Sequence, residues 1–294
     1  MGEDVLRGFI VERVLNDDER TKCITVLGRF QGHEGKAIVT LRRRHFEDAS
    51  LSRLLSEQTK AELHFENDIY TKYTGTVPAD LGQISIDIIH PATEKHISKH
   101  EEQQYFMVSE TPEMYAAIVR SYIDSIPASR IQWVYNILEK KAEAERLIFE
   151  DPDPETGFLL HPDLKWDERQ TEALYCIAMV NRRDVKSLRD LRGHHIPLLD
   201  NILKKGTEAI LSRHEVAAEQ LRVYLHYQPS YYHLHVHFLH VKHDAGMGMA
   251  VGKAHLLSDV IGNIKLREDY YAMCALHTAI GEKDPLYPLI RSAA

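Results

Sequence analysis

The sequence predicts an α+β protein in two parts: a small, mostly antiparallel unit at residues 1–110, and a larger α+β unit with an antiparallel sheet at 111–294. Three observations predict it. Short β-branched and aromatic runs recur through the first 90 residues, separated by turn residues. Leu198, Leu199, Ile202, Leu203, Ile210 and Leu211 fall at helical spacing later on. Between them and the C-terminus stands Tyr231-Tyr232-His233-Leu234-His235-Val236-His237-Phe238-Leu239, in which histidine alternates with large apolar residues. Such alternation is the pattern of a half-buried strand, with His233, His235 and His237 on one face and Leu234, Val236 and Phe238 in a core.

In order, 8–11, 23–27 and 37–41 read as strands, with Gly32 and Gly35 turning the last two. A short helix is expected over 50–60, and strands at 63–65 and 84–89. The polar stretch 91–110 carries a helix and the crossing between units. Thr111-Pro112 opens a helix, as a cap followed by proline in the first turn. A hairpin is expected from 146–149 to 158–160 across Asp151-Pro152-Asp153-Pro154-Glu155-Thr156-Gly157. A central strand follows at 173–180, then a helix from 198 to 211. Strands at 221–227 and 233–241 come next, joined by a turn at Gln228-Pro229-Ser230. Trp166 is assigned to the core. The glycines at 246, 248 and 252 fit neither a Walker loop nor Gly-x-Gly-x-x-Gly spacing, and read as a loop before a helix near His255.

Composition narrows the classes. A net charge of −8 disfavours a broad grip on long nucleic acid but suits a small nucleotide in a pocket. No apolar run approaches the roughly 20 residues that span a bilayer, and Leu6 stands where a myristoylation signal wants Ser or Thr. Cys23, Cys176 and Cys274 are odd in number and widely spaced, reading as buried thiols of a reducing compartment. No membrane partner and a cytoplasmic and nuclear location are therefore expected.

The histidine row admits three readings. Neutral imidazole is the commonest metal ligand, but at about 3.3 Å per residue the outer two lie roughly 13 Å apart, so one metal takes two easily and three only with strain. The middle imidazole can instead attack phosphorus while its neighbours orient it and bind phosphate oxygens. A solvated strand face is the third.

His-φ-His-φ-His-φ-φ, with φ apolar, resembles the signature of the histidine triad family of nucleotide hydrolases and transferases. The wider context is similar to one branch of it, the scavenger mRNA decapping enzymes. That likeness runs through Asn67-Asp68-Ile69-Tyr70, Pro91-Ala92-Thr93-Glu94-Lys95-His96, Gln132-Trp133-Val134-Tyr135-Asn136, Pro162-Asp163-Leu164-Lys165-Trp166 and Tyr224-Leu225-His226-Tyr227. The resemblance implies a histidine-triad-like catalytic domain at 111–294, and at 1–110 a dimerisation and lid domain, exchanged between the subunits of a homodimer. It makes His235 the nucleophile, with His233 orienting it, His237 facing the phosphates and His226 donating a proton. Trp133 would stack on 7-methylguanine with Leu164 opposite, and Glu143 would accept the guanine N–H groups, with Pro162 and Asp163 as weaker candidates for that edge. Lys165, Tyr175, Ser230, Tyr231 and Lys253 would contact phosphate, while Asn67, Tyr70 and Lys99 would close over the ligand. Lys253 departs from the arginine of relatives, in a loop one residue longer. No cofactor and no metal are implied. The activity expected is hydrolysis of 7-methylguanosine cap nucleotides or short capped RNA to 7-methylguanosine monophosphate and a 5′-diphosphate. The alternatives are another histidine triad hydrolase, a cap-binding regulator without turnover, and a metal-dependent enzyme.

Overall fold

The structure, a computed structural model, describes residues 5–44, 46–163, 166, 168, 170–243 and 246–292. Its backbone contacts divide the chain into two compact units, Met1–Gln103 and Gln104–Ala294.

The first unit is built on a four-stranded antiparallel sheet. Strands β1 (Phe9–Asp18), β2 (Cys23–Phe30) and β3 (Lys36–Arg43) follow one another as neighbours, and positive φ at Gly32 and Gly35 lets the chain turn between β2 and β3. The chain then leaves the sheet. The helix expected over 50–60 shrinks to Leu51–Leu54, because strand β4 (Lys60–Asn67) starts where its last turn would lie. β4 pairs with β5 (Tyr70–Thr76) as a separate ribbon, exposed at every residue, and β6 (Ile84–Ala92) returns to lie beside β3. Leu15, Leu27, Ile38 and Ile97 form the core, Ile97 supplied by the helix Glu94–His100.

The second unit begins with β7 (Tyr105–Glu110), so the division falls at 103/104 rather than the 110/111 expected. β7 belongs with the second unit because it pairs with a strand near the other end of the chain. After it, Thr111 caps a helical stretch starting at Pro112, its hydroxyl accepting from the Met114 N–H at 3.2 Å. β8 (Phe149–Glu150), β9 (Phe158–Pro162), β10 (Tyr175–Val180), β11 (Leu221–His226), β12 (His235–His240) and β13 (Ala254–Leu256) make one antiparallel sheet in the order β13-β11-β12-β10-β9-β8. β14 (Leu276–Gly281) pairs with β7 across the unit's two ends. The expected strand at 146–149 is shorter than read, because Ala144–Arg146 forms a tight turn and pairing with β9 starts only at Ile148.

The helix Ile196–His214 lays Leu198, Leu199, Ile202 and Ile210 on the sheet. At Gly206 the helix backbone passes close to the sheet, and a Cβ there would stand 2.5 Å from the Phe238 ring. Gly206→Ala is therefore expected to cost roughly 1–3 kcal/mol by overpacking, read as a lowered melting temperature. β12 differs from expectation in being buried along its whole length, not half-buried. Val236 and Phe238 enter the core as read, while aromatic rings cover the histidine face. Trp166 lies in the core as assigned. The three cysteines are free thiols, Cys176 buried but Cys23 and Cys274 only half-buried.

Candidate active site

The imidazoles that converge are not the three expected. One ring nitrogen each of His226, His235 and His237 lies within 4.8 Å of the others. His235 and His237 share a face of β12, and His226 ends the adjacent β11. His233 precedes β12, and its ring turns away, its Nε2–H donating to the Val180 carbonyl at 2.8 Å. Its backbone is what serves the site: the His233 carbonyl lies 2.7 Å from Nδ1 of His235.

That contact sets the chemistry of His235. A carbonyl oxygen only accepts, so Nδ1 carries the hydrogen and Nε2 keeps its lone pair. Nε2 is buried and has no hydrogen-bond partner. Burial pushes His235 down to about 3 against the pull of the His233 carbonyl, and the neighbouring His226 and His233 lower it further. The ring is thus neutral near pH 7, with one bare nitrogen in a row of aromatic rings. Tyr231 lies flat against it (centroids 4.0 Å, 14°), and Trp133 meets Tyr231 edge-on at 4.9 Å. Trp133 is 45% exposed, so this row of rings runs from the surface to the face of the His235 ring.

Around it, Tyr224 stacks on His237 at 5.2 Å and the Tyr175 hydroxyl is 3.0 Å from His237 Nδ1. The ring of His226 is 4.2 Å from that of His237, and its Nε2–H donates to the Gly248 carbonyl at 2.7 Å. The loop after β12 therefore aims His226 as well.

The other expected residues are placed as follows. Pro162 ends β9, and Asp163 follows it with its backbone N–H on the Tyr175 carbonyl at 2.8 Å. Glu143 is not on a helix: it holds φ +56° and accepts from Arg146 at 3.0 Å. Ser230 is exposed and precedes Tyr231 in the turn before β12. Lys253 donates from its ammonium to the Gln228 carbonyl at 2.5 Å. Burial lowers its pKa. Leu164 and Lys165 lie outside the described residues. Asn67, Tyr70 and Lys99 are exposed in the first unit, Asn67 and Tyr70 facing each other at the ribbon's turn.

The sequence reading missed a layer behind the site. Glu110 and Arg189 are buried together, Nε of Arg189 donating to Oε1 of Glu110 at 2.8 Å. The hydroxyl of Tyr227 donates to the same oxygen, and Nε2 of Gln228 donates to Oε2, both at 2.6 Å. A buried Glu–Arg pair 79 positions apart leaves no local signal in sequence.

The neutral histidines also make stability depend on pH. His235 binds a proton near pH 6.5 when unfolded but only near 3 when folded, so the unfolded chain takes up more protons as pH falls below about 6.5. Stability from this residue is complete above that pH and declines below it, by about 1.4 kcal/mol per pH unit. Urea denaturation is expected to show roughly 2 kcal/mol less stability from His235 at pH 5 than at pH 7, and the His235→Asn variant a correspondingly flatter dependence.

Residues 4–103 match the family model for the scavenger mRNA decapping enzyme N-terminal region, and residues 132–252 that for the scavenger mRNA decapping enzyme C-term binding region. The m7GpppX diphosphatase of Sus scrofa is 45% identical over 291 residues, 97% of this chain and 86% of the relative. The chain belongs to the scavenger mRNA decapping enzyme family. Across the family the likeness reaches far: the m7GpppX diphosphatase of Homo sapiens is 43% identical over the same shares. That of Schizosaccharomyces pombe is 40% identical over 96% of this chain and 94% of its own. In this decapping family member the two matched segments fall one in each compact unit, and neither contains β7 or β14.

Proposed function

We propose that this protein hydrolyses 7-methylguanosine cap nucleotides and short capped RNA to 7-methylguanosine monophosphate and a 5′-diphosphate, with His235 as nucleophile. The observation that carries the reading is the bare, neutral Nε2 of His235, whose ring ends a row of rings from the half-exposed Trp133. Nε2 attacks the phosphorus attached to 7-methylguanosine. An N–P bond forms, the P–O bond to the downstream diphosphate breaks, and the ring becomes cationic. Its Nδ1–H faces the His233 carbonyl, which stabilises that charge where it develops. Water then attacks phosphorus, the N–P bond breaks, and the ring returns neutral. Splitting the transfer in two replaces one difficult step by two easier ones. His237 faces the phosphates, and His226, entering protonated, gives a proton to the departing diphosphate and regains one from the water that attacks in the second step.

Trp133 offers the methylated base an aromatic face, favourable because that base is cationic. Glu143, Pro162 and Asp163 read the guanine edge, Leu164 closes the opposite face, and Lys165, Tyr175, Ser230, Tyr231 and Lys253 serve the phosphate side. Asn67, Tyr70 and Lys99 close over the ligand from the first unit, which excludes long RNA. The protein acts as a homodimer with exchanged N-terminal units, in cytoplasm and nucleus. Supporting the dimer, the β4–β5 ribbon, including its turn, exposes Leu63, Phe65, Ile69, Tyr70 and Tyr73, apolar side chains its own unit leaves uncovered. Sedimentation equilibrium checks this: a dimer is expected, converted to monomer by charged substitutions at these positions.

The convergence of His226, His235 and His237 favours one second reading, a metal-assisted hydrolase. Hydrolysis of a methylated cap dinucleotide under excess chelator separates the two. The histidine-nucleophile reading expects undiminished release of 7-methylguanosine monophosphate, and loss of product restored by added zinc would replace it by the metal reading.

A further inference from the structure

The β7–β14 ribbon lies outside both matched family segments, yet its side chains end on the segment that carries Tyr231 to His235. Thr278 of β14 is fully buried. Its hydroxyl donates to the Tyr227 carbonyl at 2.6 Å and accepts from the Gln228 N–H at 3.1 Å. On β7, Glu110 is fully buried and receives the Tyr227 hydroxyl and the Gln228 side-chain amide on its two carboxylate oxygens. The oxygen of that amide, Oε1, accepts from the Tyr232 hydroxyl at 2.9 Å. Tyr227 and Gln228 are themselves buried, so these backbone groups cannot turn to water. A second loop is held from the same ribbon: the Ala279 N–H donates to the Gly252 carbonyl at 2.9 Å, and the next residue, Lys253, reaches back to the Gln228 carbonyl.

We infer that Thr278 is a positioning residue for the reaction, acting with Glu110 to fix Tyr227 and Gln228 so that Tyr231 stays flat on His235 and Lys253 stays at the phosphate side. Thr278 itself touches no reacting atom. Its hydroxyl bridges the two backbone groups on either side of one peptide link, and the chain then needs only three residues to reach Tyr231. A slip of the backbone at Gln228 therefore moves both the ring that covers the nucleophile and the carbonyl that holds the ammonium. Misplacement by about 1 Å can cost on the order of 100-fold in rate.

The inference rests on the function proposed above, and the test separates the two. Thr278→Val keeps the shape and removes the hydroxyl; Thr278→Ser keeps the hydroxyl and removes a methyl group. Packing alone would make serine the worse variant, whereas positioning makes valine the worse. Two readouts are taken on the full-length protein: kcat and KM for a methylated cap dinucleotide, and the proton resonance of the His235 ring without substrate, assigned through Tyr231→Leu. Thr278→Val is expected to lower kcat roughly 10- to 100-fold with KM within about twofold, and to shift the His235 resonance towards its position in Tyr231→Leu. Thr278→Ser is expected to stay within about threefold of wild type in kcat with its resonance unmoved. Should Thr278→Val not fold, Tyr227→Phe, which removes only the hydroxyl donated to Glu110, is expected to shift the same resonance in the same direction. A His235 resonance unmoved in the folded valine variant, or in Tyr227→Phe if valine does not fold, overturns the inference. So does a serine variant as impaired as the valine one. A wild type that releases no 7-methylguanosine monophosphate overturns the proposed function instead, and the resonance still decides the role of Thr278.

Discussion

Replacing His235 by asparagine is expected to abolish release of 7-methylguanosine monophosphate, by about 10⁴-fold or more in kcat, the scale on which loss of a covalent nucleophile is felt. Asparagine fills part of the ring's space and can still donate to the His233 carbonyl, so the loss should fall on chemistry rather than on folding. Affinity for a cap analogue should stay within a few-fold, because the base platform at Trp133 is separated from His235 by the Tyr231 ring. Steady-state kinetics beside fluorescence titration checks both halves. A variant that retains a tenth of wild-type turnover would move the nucleophile elsewhere, with His237 the first candidate because its ring lies 5.0 Å from that of His235.

Trp133→Ala is expected to raise the dissociation constant for a methylated cap analogue by roughly 5- to 150-fold, the equivalent of about 1–3 kcal/mol of base stacking. The unmethylated analogue should lose less, since only the methylated base adds a cation–π attraction to the stacking. The difference between the two analogues is therefore the informative quantity. Isothermal titration of both ligands against wild type and variant gives it directly. Equal losses would mean that Trp133 packs against the ligand without reading the methyl group, and would favour a histidine triad hydrolase of other nucleotides.

Much of this was legible before any coordinates. Period-two alternation placed β12 and the core role of Val236 and Phe238, and apolar spacing placed the helix Ile196–His214. The same alternation misled at its first member. Counting back two residues from His235 puts His233 on the strand face, but the strand begins at His235 and His233 contributes its carbonyl instead. His226 entered as a neighbour one strand over, and its place in the cluster follows from register, Tyr224 pairing with His237. Register between strands is set by turns and packing, so a single chain does not print it. β13 is too short to carry a pattern, and β7 with β14 join opposite ends of the unit, so nothing local marks them as partners. For the same reason Glu110, Arg189 and Thr278 escaped notice: each is an ordinary residue until the fold brings it to Tyr227 and Gln228. Trp133, Glu143 and Lys253 came from resemblance alone. Of these, Lys253 holds the Gln228 carbonyl with one of its three ammonium hydrogens.

The most direct measurement of the central claim is stereochemical. A cap dinucleotide carrying a phosphorothioate of defined configuration at the phosphorus attached to 7-methylguanosine is hydrolysed in ¹⁸O-labelled water, and the configuration of the released monophosphorothioate is read by phosphorus NMR. Attack by Nε2 of His235 followed by attack of water inverts phosphorus twice, so net retention is the expected result. Inversion would mean that water displaces the diphosphate in one step, and would leave His235 without the covalent role assigned to it.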